Sequence, residues 1–545
     1  MSSDIALPPS GGLNPPVPPA PPAPPAPKPG PGGHVEFPPL TGAALGLGTL
    51  SLSLAIFMNV LDTSIANVSI PAISGDMGVS PSQGTWVITS FAVANAISVP
   101  LTGWMARRIG TVKLFVASVL LFTISSWLCG LAPSIEMLIG FRVMQGLVAG
   151  PMIPLSQTLL MGAYPKPKLG MALALWSMTT LIAPVLGPLL GGWITDNMSW
   201  PWIFYINVPV GIFAAGLTWA IFRKRDSGPN RIPLDYVGLG LLVLWVGAMQ
   251  IMLDKGKELD WFNSPVIITL AAVAVVGFFV FLAWELTEKN PIVDLKLFAG
   301  RNFMFGVISI SVAYGLFFAN LVLLPLWLQQ IVGYPATQAG MAMAPVGVLA
   351  LVLSPWVGRN LAKHDPRVFA TISFVIFAIV LYMRSRYTVD SDFVTIMIPT
   401  LLQGAALAFF FIPLLSIVMS NLHPSRIPAA AGLSNFVRIT AGAVGTSLFS
   451  TAWDDRAAMH HAHLAEAINN GSSSASSALQ GLTAQGYTQE QALGIINRLI
   501  DQQAFTMSVD ELFLLSAMVF VLLIPLVWVT RRFKASGSSD GGGAH

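Results

Sequence analysis

Residues 43–71 read AALGLGTLSLSLAIFMNVLDTSIANVSIP, twenty-nine residues in which Asp62 is the only charge. A hydrocarbon core about 30 Å thick is crossed by roughly 20 helical residues, so this stretch is long enough to span it. In lipid the backbone must satisfy its own hydrogen bonds, which makes the segment a helix. Thirteen similar stretches follow, near 83–105, 111–131, 135–160, 169–193, 201–222, 234–253, 264–285, 303–327, 338–358, 366–383, 393–418, 429–452 and 510–530. The expectation is an all-α polytopic membrane protein with fourteen transmembrane helices.

Composition agrees. The 545 residues are 54% hydrophobic and 10% charged, with a mean hydropathy of +0.70. Soluble proteins carry about 25% charged residues, so an ordinary soluble enzyme, a nucleic-acid binder and a disordered scaffold are all excluded. The net charge of +3 implies no polyanionic partner. Cys129 is the only cysteine, which leaves no internal disulfide and no cysteine-based metal site.

The basic residues orient the helices. If the N-terminus is cytoplasmic, 20 of the 28 Lys and Arg residues fall inside, 6 outside (Lys255, Lys257, Arg384, Arg386, Arg456 and Arg498), and Arg142 and Arg438 lie within helices. Such a bias predicts an even number of spans with both termini in the cytoplasm. Residues 1–41 hold 15 prolines and read as a disordered, extended cytoplasmic tail; residues 531–545 form a second cytoplasmic tail. The 453–508 segment, between helices 13 and 14, is an unusually long external loop containing two helix-like stretches.

A repeat organises the chain. Pro100-Leu-Thr-Gly103 ends helix 2 and Pro355-Trp-Val-Gly358 ends helix 10, 255 residues later. Gln145-Gly146 of helix 4 returns as Gln403-Gly404 of helix 12, and Gly187 of helix 5 as Gly445 of helix 13, both at an offset of 258. The simplest architecture is two six-helix halves, 42–222 and 303–530, with two inserted helices and a linker at 223–302. Parallel repeats of this kind characterise a class of secondary transporters.

The duplication makes asymmetry informative. Asp62 projects onto helix 9 near Phe317 to Asn320, where there is no acid, and Arg142 projects onto Thr400. Ionisable side chains at a helix centre cost several kcal/mol and are usually paired or facing water. Asp62 and Arg142 lie at similar depth in the outer half, so they can pair, which makes them the candidate proton-coupling residues. Phe91, Asn95, Gln157, Trp176, Tyr314, Phe318, Gln403, Phe410, Asn435 and Arg438 are the candidate substrate-binding residues, an aromatic and polar lining suited to flat, apolar ligands. His460, His461 and His463 lack a fourth ligand at a defined spacing, so a solvated helix face is expected there and no metal site. No catalytic triad, nucleotide loop or ATPase motif occurs, and no cofactor is implied; energy would come from an ion gradient.

These motifs resemble the major facilitator superfamily, and within it the fourteen-helix drug:proton antiporters. LDTSIANVSIP resembles that group's helix 1 signature, RVMQGLVAGP its helix 4 signature, and APVLGPLLGG its helix 5 signature, with Ala183 where glycine is usual. GWMARRIGTVK is similar to the loop 2–3 signature, but Arg107 replaces the expected aspartate. By this resemblance Gly103, Arg108, Gly110, Lys113, Pro184, Gly187, Pro188, Gly191 and Gly192 are conformational-motif residues, and Arg142 assists proton transfer. TWVITSFAVANAIS, ALALWSMT, MQIMLDKGKELDW and NPIVDL resemble the inner-membrane pumps of tripartite efflux systems. That implies export of hydrophobic drugs and uncouplers from the bacterial inner membrane, driven by protons. An EmrA-like periplasmic adaptor and a TolC-like outer-membrane channel would be the partners. Export of a narrower physiological substrate, such as a siderophore or lipid-like metabolite, stays open on the same fold.

Overall fold

The computed structural model describes residues 37–165, 168–226, 233–361, 363–469 and 473–532. The proline-rich segment up to residue 36 and the end of the C-terminal tail lie outside them. Among the described residues all regular structure is helical, and fourteen long helical segments match the apolar stretches. They are α1 (Gly42–Asp76), α2 (Trp86–Ile109), α3 (Thr111–Gly130), α4 (Ile135–Ala163), α5 (Leu169–Asn197), α6 (Trp202–Arg225), α7 (Tyr236–Lys255), α8 (Pro265–Thr287), α9 (Arg301–Gln330), α10 (Gln338–Asn360), α11 (Pro366–Arg384), α12 (Phe393–Val418), α13 (Ile427–Asn469) and α14 (Gln489–Trp528).

Twelve of these, α1 to α4, α6 to α12 and α14, combine the length and apolar character needed to cross a membrane. Length suffices in α5 and α13 as well, at 29 and 43 residues and about 1.5 Å per residue. The membrane part of α13 is rich in Ala, Gly and Ser because it packs against α2, α4, α9 and α14. A helix covered by protein needs small residues for close approach more than oily ones. By contrast α8 is sheathed in Val, Phe and Leu and is largely exposed, as a lipid-facing helix is.

The repeat recurs in packing detail. A side chain added at Gly146 would fall on the Phe91 carbonyl oxygen and the Asn95 amide, and one at Gly404 on the Val346 carbonyl oxygen and the Ala350 amide. Both partner pairs are 255 residues apart, so α4 packs on α2 as α12 packs on α10. Both helices also break at matching places. α4 divides after Ala149 and α12 after Ala408, where Pro154 and Pro413 remove the hydrogen bond to the residue four earlier.

The two groups of helices meet along α2–α13 and α5–α10, pairs that the repeat exchanges. Their tightest contacts lie toward one end. A Cβ on Gly103 would come 2.7 Å from the Ala429 Cα, and Gly170 and Gly358 face each other backbone to backbone. The loop joining α7 and α8 bridges both groups toward the opposite end. Lys255 Nζ donates to Thr85 Oγ1 at 2.8 Å, Lys257 pairs with Asp454 at 2.6 Å, and Trp261 Nε1 donates to Thr451 Oγ1 at 2.9 Å.

The 453–508 segment is built from continuations of α13 and α14, with a short helix, Ser473–Ala484, between them. Trp453 Nε1 donates to the Phe505 carbonyl at 3.0 Å, and Arg456 pairs with Glu511 at 2.5 Å, tying the two extensions together. A capping box formed by Thr488 and Gln491 starts α14, so this helix begins far outside the apolar stretch.

Candidate functional site

Helix α1 carries Asp62 on the face turned toward α4 and α6, where the residue is 2% exposed. Arg142 Nη1 of α4 donates to Asp62 Oδ2 at 2.6 Å and to Gln145 Oε1 at 2.7 Å, and its Nε donates to the Val87 carbonyl at 3.0 Å. Gln145 Nε2 and Asn207 Nδ2 donate to Asp62 Oδ1 at 3.1 and 2.7 Å. Asn207 also donates to Ser126 Oγ at 2.9 Å, and that hydroxyl donates to the Phe204 carbonyl at 2.9 Å. The guanidinium lies over the Phe91 ring at 4.2 Å and near that of Phe204 at 5.7 Å. Four helices, α1, α3, α4 and α6, thus converge on one buried carboxylate.

Pairing and donors together are what let such a charge sit in a low-dielectric interior. Protonating Asp62 would remove the charge that holds Arg142 and turn one acceptor oxygen into a donor. The pair expected from the sequence is in direct contact. Gln145, Ser126, Phe204 and Asn207 were not anticipated as its partners; the Gln145-Gly146 repeat was the one signal that pointed to any of them.

Helix α5 packs beside this pair. A side chain on Gly187 would strike Ser64, and one on Gly191 the backbone of Ile65, both within a turn of Asp62. Around Gly192 there is open space. Pro184 and Pro188 have side chains outside the described residues.

The loop between α2 and α3 turns at Gly110, whose φ of +101° favours glycine. An acid from after α6 lies at this turn. Asp226 Oδ1 accepts from the Val112 amide at 3.0 Å, and Lys113 lies 3.6 Å from Asp226 Oδ2. Arg108 lies over the Trp104 ring at 5.3 Å.

The candidate substrate residues divide. Arg438, buried in α13, is surrounded by the rings of Tyr314 at 4.9 Å, Phe411 at 5.4 Å and Trp176 at 5.5 Å. Its Nη2 donates to Asn435 Oδ1 at 2.5 Å, and Asn435 Nδ2 donates across the seam to Gln157 Oε1 at 3.2 Å. Phe318 stacks near Tyr314 at 4.4 Å. Arg438 Nε and Gln157 Nε2 are both buried without a partner. Gln157, Trp176, Tyr314, Phe318, Asn435 and Arg438 therefore form one cluster between the two groups of helices. Phe410 packs on Phe377 and Phe411, Phe91 belongs with Arg142, Gln403 meets Arg384 of α11, and Asn95 is half-buried on α2. Arg384, counted from sequence among the external cations, is buried.

On α13 and α14, His460 Nε2 lies 3.1 Å from Glu511 Oε1, and His461 Nε2 lies 3.5 Å from Asp501. Among the described residues no group of three or more His, Cys, Asp or Glu could hold a metal ion.

Comparison with known proteins fits this architecture. Residues 52–446 match the family model of the Major Facilitator Superfamily. The chain is 52% identical over 510 residues to the multidrug export protein EmrB of Escherichia coli K12, covering 93% of this chain and 99% of that one. It is 50% identical over 509 residues to the fatty acid resistance protein FarB of Neisseria gonorrhoeae, covering 93% and 100%. The human organic anion transporter MFSD10 shares the fold, with a TM-score of 0.57 at 13% identity over 89% of this chain and 100% of that one. The chain is a multi-pass membrane protein that belongs to the Major Facilitator Superfamily of transporters.

Proposed function

We propose that this chain is a proton-coupled multidrug exporter of the bacterial inner membrane and the pump of a tripartite efflux system. The observation that carries the reading is the buried Asp62–Arg142 pair, an acid–base pair at the centre of the N-terminal six-helix half, 42–222. The half at 303–530 completes the bundle, and 223–302 adds the inserted helices α7 and α8. The names of relatives about half identical along nearly their whole length, for multidrug export and fatty acid resistance, support apolar and amphiphilic substrates.

In the proposed cycle Asp62 takes a proton from the outer side and drug leaves outward. The two halves then rock, and Asp62 gives up the proton toward the cytoplasm as the next drug molecule binds. Each proton moved down a 100 mV potential contributes about 2.3 kcal/mol. The Arg438 cluster, built from both halves, is the proposed substrate contact, because any rocking motion changes the distance between its two sides. With both termini cytoplasmic, the tight Gly103–Ala429 and Gly170–Gly358 contacts lie at the inner end, matching a state closed to the cytoplasm. The α13–α14 hairpin then extends into the periplasm, where we assign it to an EmrA-like adaptor leading to a TolC-like channel.

Efflux of a fluorescent lipophilic dye from cells lacking other pumps tests the reading. Wild-type protein should expel the dye until nigericin collapses the pH gradient, and Asp62→Asn at equal membrane level should not. Equal efflux by the two would refute it.

A further inference from the structure

The repeat places a second buried polar cluster at the depth of the Asp62 site, with the charge reversed. At the 258-residue offset Asp62 becomes Asn320, Ser126 becomes Arg384, Arg142 becomes Thr400 and Gln145 becomes Gln403. The first site thus has a cation neutralised by a carboxylate, whereas the second has a cation among neutral groups.

Arg384 lies in the last turn of α11. Long cationic side chains at a helix end normally reach outward to water. Here the residue is only 1% exposed. Its Nη2 donates to Gln403 Oε1 at 2.7 Å and Thr400 Oγ1 at 3.1 Å, two turns inside α12. These acceptors and the Tyr387 side chain, which also interacts with the guanidinium, are all neutral groups, and among the described residues no carboxylate is paired with it. Its Nε is buried without a partner. A cavity of about 10 Å³ opens at this point, lined by Asn320, Thr400, Gln403 and Arg384, with Leu324 and Val346 beside them.

A charge buried without its counter-ion costs several kcal/mol. The helix C-terminus offsets part of that through its dipole. A single water in the cavity would serve Arg384 Nε and the unpartnered Asn320 Oδ1, yet it would leave the charge in place. We propose that the Arg384 cluster binds one monovalent anion, the counter-ion that Asp62 provides in the other half. The ligand is a free halide, whose size suits a cavity this small, or the carboxylate of an apolar chain entering past Leu324 and Val346.

The test uses purified full-length protein in detergent. Thermal stability is measured in chloride, bromide or decanoate against gluconate at equal ionic strength, and binding of radioactive chloride is measured directly on the wild type. Saturable stabilisation by chloride and bromide, with one chloride bound per chain, is the expected result. Arg384→Gln should weaken that binding by about tenfold or more, the worth of one charge-assisted hydrogen bond. Saturable stabilisation by decanoate alone, lost in Arg384→Gln, would identify the carboxylate of an amphiphile as the anion. If neither anion binds saturably to wild-type protein, the proposal fails whether or not the variant folds. Equal binding by a folded Arg384→Gln would also overturn it.

Discussion

The Asn207 side-chain amide of α6 reaches Asp62 Oδ1 of α1 at 2.7 Å, a shorter contact than the 3.1 Å one from Gln145. Helix α6 therefore helps hold the carboxylate, and Asn207 ties it through Ser126 to α3. A hydrogen bond to a charged group contributes about 1.5–3 kcal/mol. Asn207→Ala should leave the protein in the membrane and lower drug-dependent proton flux by about tenfold. Comparing initial rates of flux at matched protein level in membrane vesicles checks this; an unchanged rate would show that Arg142 suffices alone.

Closure between the halves depends on glycine where backbones touch. Gly103→Val puts atoms where the Ala429 backbone already lies, and overpacking of this kind costs about 1–3 kcal/mol. We expect normal insertion but lost export, because in the proposed cycle this end of the bundle could then not shut. Gly216→Ala, with nothing within 4 Å, should export normally. Dye efflux from cells carrying each variant measures the contrast.

Much of this site was legible in the sequence because an acid in an otherwise uncharged apolar stretch has few explanations. The depth argument paired Asp62 with Arg142, and two nearly equal offsets, 255 and 258, located the repeat whose glycines contact matching carbonyls. Asn207 escaped because α6 is apolar on all sides, so its pattern does not say which face meets α1. Arg384 was misread for a related reason. Its position next to Ser385-Arg386 suggests a loop, while its side chain turns back into the bundle to reach Gln403. Sequence marks the end of a helix, but only packing decides where a long side chain at that end goes.

The loop between α10 and α11 gives a pH-dependent prediction. Burial alone would push the Asp365 carboxyl up, but hydrogen bonds and charge from Arg367, with Arg532 beyond, hold it below its usual range. Arg367 Nη2 donates to Asp365 Oδ2 at 2.7 Å. Because the folded-state pKa is depressed, the stabilisation is present above the unfolded carboxylate pKa of about 3.9 and is lost as pH falls below it. Asp365→Asn should melt lower than wild type at pH 5–8 by about 1 kcal/mol. The difference should shrink below about pH 4, as melting curves of the two purified proteins will show.

The α13–α14 hairpin is the proposed adaptor surface. Replacing residues 464–493 with a short Gly-Ser turn leaves the Trp453–Phe505 and Arg456–Glu511 ties intact. Co-purification with the adaptor should be lost while the monodisperse elution of the pump is unchanged. Retained co-purification would move the interface elsewhere.

The central claim is that Asp62 carries the coupled proton. A neutral asparagine side chain mimics the protonated carboxyl that the cycle requires, so Asp62→Asn resembles a state the protein must already tolerate. In inside-out vesicles with an acid interior, adding a lipophilic drug should discharge the pH gradient through wild-type protein and leave it standing in Asp62→Asn. Equal drug-dependent discharge by the variant would contradict the account.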